Sequence, residues 1–191
     1  IMERSGVARD LFDAMRVWAG RLPGGLAIQT MVAATIMGAM TGIIGGEIVL
    51  LGLVALPQML RLGYDRKLAI GTICAGGSLG TMIPPSLVAV IYASIANMSV
   101  GQLYAGMLLP GLLMVGLFLI YVVARCLLNP QDGPPVARDE IDMPLSRKLW
   151  ITLTGFVPAV VLIAAVLGTT MFGIASPTEA ASVGALCALV L

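Results

Sequence analysis

The sequence has no histidine and few charged residues. Only 11% of its 191 residues are charged, against about a quarter in ordinary soluble proteins. Without His, and with Cys74, Cys126 and Cys187 far apart, the chain offers no ligand set for zinc or haem. The absence of His also excludes a Ser-His-Asp hydrolase. No residue pattern supports an enzyme.

The chain also lacks a surplus of charge of either sign. It has 11 Lys and Arg against 10 Asp and Glu, and the basic residues form no stripe beside aromatics. Nucleic-acid binding therefore has no electrostatic basis. Hydrophobic residues make up 59% of the chain, and its mean hydropathy is +1.00. Because the charges fall in short clusters between long uncharged runs, we predict an all-α integral membrane protein that has the lipid bilayer as its solvent.

The first charge cluster covers residues 1–21. Charges of both signs alternate there with apolar residues at spacings of three or four. This pattern predicts an amphipathic helix at the membrane interface, or equally one packed on a neighbouring membrane domain. No cleavable signal peptide is visible. Position 1 is Ile, and position 191 lies in an apolar run. We interpret the chain as an internal piece of a longer protein.

Residues 22–60 contain a single charge, Glu47. At about 1.5 Å per residue, this segment is too long for one crossing of a core about 30 Å thick and barely long enough for two. The stretch 38–46 holds four glycines, so the chain can turn sharply there. We predict a re-entrant helical hairpin over 22–60, with its tip in protein or a water-filled cavity.

The remaining segments follow from the same pattern of charges. Over residues 68–128 we predict two helices, a discontinuous helix and a returning transmembrane helix. The first is discontinuous because prolines and glycines interrupt it at 76–86. Residues 129–148 predict a loop, which is cytoplasmic because Lys and Arg collect on that side. Residues 149–191 predict another transmembrane helix and the start of a further helix at Pro177.

The interruption at 76–86 is a candidate binding site. Where the helix stops, near Gly77 to Thr81, we expect carbonyl oxygens freed from helix bonding to coordinate a cation such as Na⁺, assisted by the hydroxyls of Ser78 and Thr81. Where it restarts at Pro85-Ser86, free amides and the helix dipole favour an anionic group such as a carboxylate. The alternative is a kink that only improves helix packing.

Glu47 is the only acidic residue inside an apolar segment before Glu179. A carboxylate is costly in lipid and is a functional candidate by default. The flanking runs contain no basic residue to pair with it. Two interpretations stay open, a proton or cation site and a structural hydrogen bond within the hairpin.

Six motifs carry a resemblance to a known family. The chain resembles the large membrane subunit of tripartite ATP-independent periplasmic (TRAP) transporters over essentially its whole length. In order, the motifs are MERSG (2–6), LPGGLA (22–27), LP (56–57) with GYD (63–65), GGSLG (76–80) with IPPS (83–86), PGLL (110–113) and SPTEAA (176–181).

The resemblance implies a Na⁺-driven importer of C4-dicarboxylates or other organic acids in the bacterial inner membrane. It further implies an elevator-like motion, a small TRAP membrane subunit and a periplasmic solute-binding protein as partners, and no cofactor beyond Na⁺ as the coupling ion. Family members contain two inverted repeats, of which this chain would hold the first and the opening of the second.

The resemblance also places a sodium region on the hairpin tip and on the interrupted helix. Many relatives have a tip dominated by Ser, Gly and Ala, whereas Ile43, Ile44 and Glu47 occur here. Ser176 stands where Thr is common. The candidate residues for sodium and substrate are Thr41, Gly42, Gly77, Ser78, Gly80, Thr81, Pro84, Pro85 and Ser86, with Glu47 as a coupling or structural acid.

Two other functions remain as alternatives. One is a related sodium/dicarboxylate symporter without a binding protein, against which a neighbouring gene for a binding protein would argue. The other is a non-transporting structural or channel-like subunit. A passive channel needs no coupled cation site, so Na⁺-dependent uptake separates it from a transporter.

Overall fold

The computed structural model describes residues 22–42, 44–135 and 145–190, and within these ranges the chain is helical without strands. This confirms the all-helical prediction for these ranges. The predicted interfacial helix 1–21 and residues 136–144 of the predicted loop lie outside them. The helices are α1 (Gly25–Thr41), α2 (Ile44–Arg61), α3 (Arg66–Ser78), α4 (Leu87–Ile95), α5 (Val100–Leu128), α6 (Leu145–Met171) and α7 (Pro177–Val190), with a 3₁₀ turn at Leu79–Thr81 between α3 and α4.

Two of the described helices are long and apolar enough to cross a bilayer. They are α5, with 29 residues, and the 23-residue part of α6 from Leu149 to Met171. At about 1.5 Å per residue they reach roughly 43 and 34 Å, more than the hydrocarbon core of about 30 Å. Apolar side chains along α5 are exposed, including Leu109 and Ile120. A core helix of a soluble protein would bury such residues, so these helices indicate a membrane protein.

Helices α1 and α2 form a tight helical pair. Gly42 ends α1 in the left-handed conformation, with φ 63°, and its N–H donates to the carbonyl of Gly38 at 2.8 Å. Glycine adopts this conformation at little cost, so α2 can begin at Ile44. Both helices pack against α3 through a buried cluster formed by Ala33, Ala34, Met37, Leu51, Ala55 and Ile73.

A hydrogen bond ties the first turn of α1 to the chain that follows α2. The N–H of Leu26 donates to the hydroxyl of Tyr64 at 3.1 Å. Amides in the first turn of a helix have no partner within that helix, so Tyr64 supplies the missing acceptor. Burial raises the pKa of Tyr64 to about 12. The next residue, Asp65, caps α3 by accepting from the N–H groups of Lys67 and Leu68.

The loop that follows α5 is bonded to both ends of the α1–α2 pair. The N–H of Gly24, just before α1, donates to the carbonyl of Gly133 at 2.8 Å. The N–H of Asp65, just after α2, donates to the carbonyl of Asp132 at 3.0 Å. Arg125 near the end of α5 donates to the Asp132 carboxylate at 3.0 Å. The open end of the pair is therefore fastened to the end of α5, while its closed end lies at the break between α3 and α4.

Candidate functional site

The break between α3 and α4 extends from Leu79 to Ser86. Helix α3 continues through Gly76 and Gly77 to Ser78, and the 3₁₀ turn follows directly. Pro84 and Pro85, joined by a cis peptide bond, have no N–H to donate. Ser86 occupies the N-cap position of α4, and its side chain makes no capping hydrogen bond.

The hydroxyls at the start of the break bond to the backbone. Ser78 donates to the carbonyl of Ala75 at 2.7 Å, and Thr81 donates to the carbonyl of Ser78 at 3.2 Å. The carbonyls of Gly76 and Gly77 accept from the N–H of Leu79. The sequence predicts that carbonyls here are free of hydrogen bonds, but in the structure these two carbonyls are bonded. Each carbonyl and hydroxyl oxygen still has a further lone pair. The oxygens could still ligate a cation.

The glycines of the break are sites of close packing. A Cβ on Gly76 would lie 2.7 Å from the Cβ of Ala34 in α1. A Cβ on Gly77 would overlap Ile48 in α2, and one on Gly80 would overlap the carboxylate of Glu47. The sequence pattern predicts that these glycines interrupt the helix. In the structure they let the two arms of the hairpin approach α3 and the 3₁₀ turn.

The carboxylate of Glu47 lies between Gly38 of α1 and Gly80 of the 3₁₀ turn. Its residue is 2% exposed, and neither carboxylate oxygen has a hydrogen-bond partner among the described residues. A Cβ on Gly38 would lie 3.2 Å from Oε1. The structural hydrogen bond within the hairpin, which is one of the two interpretations of Glu47, is therefore not present in the described ranges.

A cavity of about 500 Å³ lies where the hairpin tip meets the start of α4. This volume falls within the range of small-molecule sites. Ser86 contributes a buried hydroxyl that has no hydrogen-bond partner in the part of the chain that the structure describes, and the Tyr104 hydroxyl donates to the Ser86 carbonyl at 3.3 Å. The described residues that line the cavity are all uncharged; they are Met40, Thr41, Gly42, Pro85, Ser86, Leu87, Val90, Tyr104, Leu162, Val166, Thr170, Thr178, Ala181, Gly184 and Ala185.

The structure divides the predicted site residues into two groups. Four of them line the cavity, namely Thr41, Gly42, Pro85 and Ser86. Four others belong to the end of α3 and the 3₁₀ turn, namely Gly77, Ser78, Gly80 and Thr81. Of these, Gly77 packs against Ile48 of the hairpin and Gly80 against the carboxylate of Glu47. Pro84 lies between the two groups along the chain, and its side chain is buried.

Sequence reasoning missed the cavity residues that come from outside the hairpin and the break. Tyr104 belongs to α5, Leu162 and Thr170 to α6, and Thr178 to α7. Tyr104, Leu162 and Thr170 lie in apolar runs in which no local pattern separates them from their neighbours. Thr178 lies in the SPTEAA motif, which predicts the start of a helix but no cavity. Only the tertiary arrangement of α5, α6 and α7 identifies them.

The whole chain, residues 1–191, matches the sequence profile of the family described as "Tripartite ATP-independent periplasmic transporter, DctM component". The chain belongs to the DctM family. The resemblance inferred from the six motifs is therefore confirmed.

Curated relatives agree with this assignment. The C4-dicarboxylate TRAP transporter large permease protein DctM of Pseudomonas aeruginosa is 36% identical over 97% of the chain and 42% of its own length. The ectoine/5-hydroxyectoine permease protein UehC of Ruegeria pomeroyi is 33% identical over 100% of the chain and 43% of its length. The isethionate permease protein DctMQ of Oleidesulfovibrio alaskensis is 28% identical over 100% of the chain and 29% of its length. The chain thus spans less than half of each relative.

These relatives are permease proteins of transporters and not enzymes, which agrees with the prediction that the chain has no enzymatic role. Their names cover three kinds of substrate: C4-dicarboxylate, ectoine and isethionate. Membership of the family therefore does not fix a substrate.

Proposed function

We propose that the chain forms part of the large permease subunit of a sodium-coupled TRAP transporter that imports carboxylate-bearing organic acids. The cavity between the hairpin tip and the start of α4 carries this proposal. It joins residues of the two features that the sequence singled out, Thr41 and Gly42 on one side and Pro85 and Ser86 on the other.

The start of α4 supplies the groups for a carboxylate. The first amides of a helix have no carbonyl partner within the helix, and the helix dipole is positive at this end. The buried Ser86 hydroxyl, which has no partner among the described residues, adds a donor next to these amides. Because none of the described residues that line the cavity is charged, the substrate anion would be held by neutral donors, which hold it less tightly than an ion pair and favour its release.

The other side of the break supplies the groups for Na⁺. Hydroxyl and carbonyl oxygens are suitable ligands for this ion, and broken helices of secondary transporters provide them. Ser78 and Thr81 offer hydroxyl oxygens at the break, and Thr41 offers one at the hairpin tip. In the described ranges no three residues of the His, Cys, Asp and Glu types are grouped to hold a metal, so the proposed ion site relies on uncharged oxygens. Na⁺ is here a transported ion and no cofactor is needed.

The helix lengths support a re-entrant hairpin. Helices α1 and α2 contain 17 and 18 residues, and at about 1.5 Å per residue each is shorter than the hydrocarbon core. Neither is among the two described helices long and apolar enough to span a membrane. We assign the hairpin and the broken helix to the first of two inverted repeats that move in an elevator-like manner.

The same proposal includes the cellular setting. The permease would be a multi-pass protein of the bacterial inner membrane, with its basic loops in the cytoplasm. A small TRAP membrane subunit and a periplasmic solute-binding protein would be its partners. The descriptions of the family and its relatives as components of tripartite transporters support these assignments.

Uptake into proteoliposomes tests the proposed function. The vesicles contain the complete large and small membrane subunits, and uptake of a labelled organic acid is measured with and without binding protein, in Na⁺ or in K⁺. We expect uptake only when Na⁺ and the binding protein are both present. Na⁺-dependent uptake that does not need the binding protein would instead indicate a sodium/dicarboxylate symporter without a binding protein. Uptake that depends on neither Na⁺ nor the binding protein would indicate a passive channel.

A further inference from the structure

A second cavity lies between α3 and α5, and we call it the α3–α5 cavity. Its volume is about 360 Å³, which is within the range of small-molecule sites. It has no lining residue in common with the cavity at the hairpin tip. The residues proposed for substrate and Na⁺ therefore do not account for it.

The two ends of the α3–α5 cavity differ in polarity. One end is lined by Lys67 at the start of α3 and by Tyr121 and Arg125 near the end of α5. The other end is apolar, with Ala75 and Phe118 in its wall. Ala75 comes eight positions after Lys67, and Phe118 seven before Arg125, so the two ends are about 10–12 Å apart along the helices. The cavity therefore suits a ligand with one polar and one apolar end.

The wall between these two ends is also apolar. Met31 of α1, Leu68 and Val122 are buried residues of this wall. The hydroxyl of Thr72 donates to the carbonyl of Leu68 at 2.8 Å, so its hydrogen is not available to a ligand. Gly71 leaves space, because a Cβ there would meet no atom within 4 Å. A hydrocarbon chain is the kind of group that gains most from such surroundings.

The polar end lies at the level of the lipid headgroups. Arg125 is in the last turn of α5, whose 29 residues reach about 43 Å and extend beyond a hydrocarbon core of about 30 Å. Lys67 is at the same end of the molecule, because the carboxylate of Asp65 lies 3.9 Å from Nη2 of Arg125. Tyrosine is enriched at this level of membrane proteins, which agrees with the position of Tyr121.

An anion at the polar end would meet two donors. Arg125 donates to the hydroxyl oxygen of Tyr121 at 3.1 Å, so the hydroxyl hydrogen of Tyr121 is left to donate to a ligand. Asp65 and Asp132 pair with Arg125, whereas Lys67 has no ion pair in the part of the chain that the structure describes. Neither carboxylate is among the described residues that line the cavity. The charge that Lys67 presents to the cavity is therefore uncompensated there.

We propose that the α3–α5 cavity binds an anionic phospholipid, whose phosphate contacts Lys67 and Tyr121 and whose acyl chain lies along the apolar wall. Basic pockets between transmembrane helices bind such headgroups. A free phosphate ion would leave the apolar end empty, and a neutral lipid would leave the Lys67 ammonium without a counter-charge. The bound lipid joins the first half of the interrupted helix to α5.

Photolabelling of the complete membrane complex tests this site. The complex is placed in phosphatidylcholine nanodiscs with a fixed trace of phosphatidylglycerol that carries a photoreactive group in one acyl chain, and labelled peptides are identified by mass spectrometry. We expect labels on peptides that contain Ala75 or Phe118. Unlabelled phosphatidylglycerol should displace this label, whereas inorganic phosphate should not.

A variant of Lys67 tests the headgroup contact. Lys67→Gln should lower labelling by the trace probe about fivefold, which corresponds to about 1 kcal/mol for one basic residue, and Lys67→Arg should retain most of it. Arg66→Gln is the matched control, because Arg66 is also an exposed basic residue in the first turn of α3 but does not line the cavity. It should leave the labelling unchanged.

A variant of Gly71 tests the acyl-chain contact. Gly71→Leu places a side chain in the open space of the cavity and should abolish the labelling. Gly106→Leu is its control, since a Cβ on Gly106 in α5 also meets no atom within 4 Å and Gly106 does not line the cavity. If Gly71→Leu fails to fold, Lys67→Gln decides, because Lys67 is exposed.

Three results would overturn the proposal. Labelling that persists in excess phosphatidylglycerol and in Lys67→Gln would indicate ordinary contact with bulk lipid. An absence of label from these peptides in the complete complex would indicate that another part of the complex covers the cavity. Displacement by inorganic phosphate would indicate a site for a small anion. None of these measurements requires transport, so the uptake experiment tests the proposed function separately.

Discussion

Gly38 of α1 and Gly80 of the 3₁₀ turn are in backbone contact. A Cβ on Gly38 would lie 2.6 Å from the Cα of Gly80 and 3.0 Å from its nitrogen. The neighbour is backbone and not a flexible side chain, so it cannot move aside cheaply. This contact, with the carboxylate of Glu47 beside it, fixes how closely the hairpin approaches the helix break.

Replacing Gly38 with Ala should therefore destabilise the protein. The extra methyl group forces the two backbones apart, and overpacking of this kind costs about 1–3 kcal/mol, more than the gain of about 0.5–1 kcal/mol in helix propensity. The midpoint of thermal unfolding of the purified protein measures the effect. Gly52→Ala is the matched control, since it lies in α2 with nothing within 4 Å of the added Cβ, and it should be neutral or stabilising. Equal midpoints for the two variants would contradict the contact.

Replacing Tyr64 with Phe should lower stability through the first turn of α1. The variant removes the acceptor of the Leu26 N–H, and a buried donor left unpaired costs about 1–3 kcal/mol. Thermal or denaturant unfolding measures the loss. Tyr92→Phe serves as control, because Tyr92 is exposed, and a loss of the same size there would assign the effect to something other than the hydrogen bond.

Replacing Asp65 with Ala should weaken the start of α3, whereas Asp65→Asn should weaken it less. The carboxylate accepts from two amides, those of Lys67 and Leu68, and loss of an N-cap costs about 0.5–2 kcal/mol. Asn retains a side-chain oxygen in the same place. Unfolding midpoints of the two variants give the comparison, and the expected order would be refuted if Asn were as destabilising as Ala.

Replacing Ser78 or Thr81 with Ala should raise the Na⁺ concentration needed for half-maximal uptake by about 5- to 30-fold, which corresponds to losing about 1–2 kcal/mol of binding. Each variant removes a proposed oxygen ligand at the break. The measurement is uptake against Na⁺ concentration in proteoliposomes with all subunits.

Thr154→Ala is the control for these two variants. Its hydroxyl also donates to backbone carbonyls of its own helix, those of Trp150 and Ile151, but Thr154 is exposed and is not among the residues that line the cavity. An unchanged Na⁺ dependence in the Ser78 and Thr81 variants would remove these residues from the ion site. A shift in the Thr154 variant as well would assign the effect to helix stability.

The family and the helical class could be predicted from the sequence because both depend on features that are local or ordered along the chain. Apolar runs and charge clusters identify a helical membrane protein, and six motifs in a fixed order identify the DctM family. The motif that contains Pro84 and Pro85 marks the break by itself, since neither residue can donate an amide hydrogen.

The contacts of the site could not be predicted in this way. Gly38 and Gly80 stand 42 positions apart in the numbering, and no local pattern joins them. A glycine that permits a close backbone contact looks the same in a sequence as one that permits a turn, which is why the pattern around Gly77 and Gly80 predicts an interrupted helix and not a close contact. The cavity residues Thr170 and Thr178 belong to helices whose packing against the hairpin depends on the whole fold.

The hydrogen bonds at the open end of the hairpin have a consequence for how it can move. Gly24 and Asp65 flank the α1–α2 pair, and both donate to the loop after α5, at Gly133 and Asp132. A displacement of the pair as a rigid body must either break these two bonds or carry that loop along with it. A tilt about this end would keep both bonds and produce its largest displacement at Thr41 and Gly42. The loop after α5 therefore either stays in place as the pivot about which the hairpin tilts, or moves together with the hairpin as one rigid body.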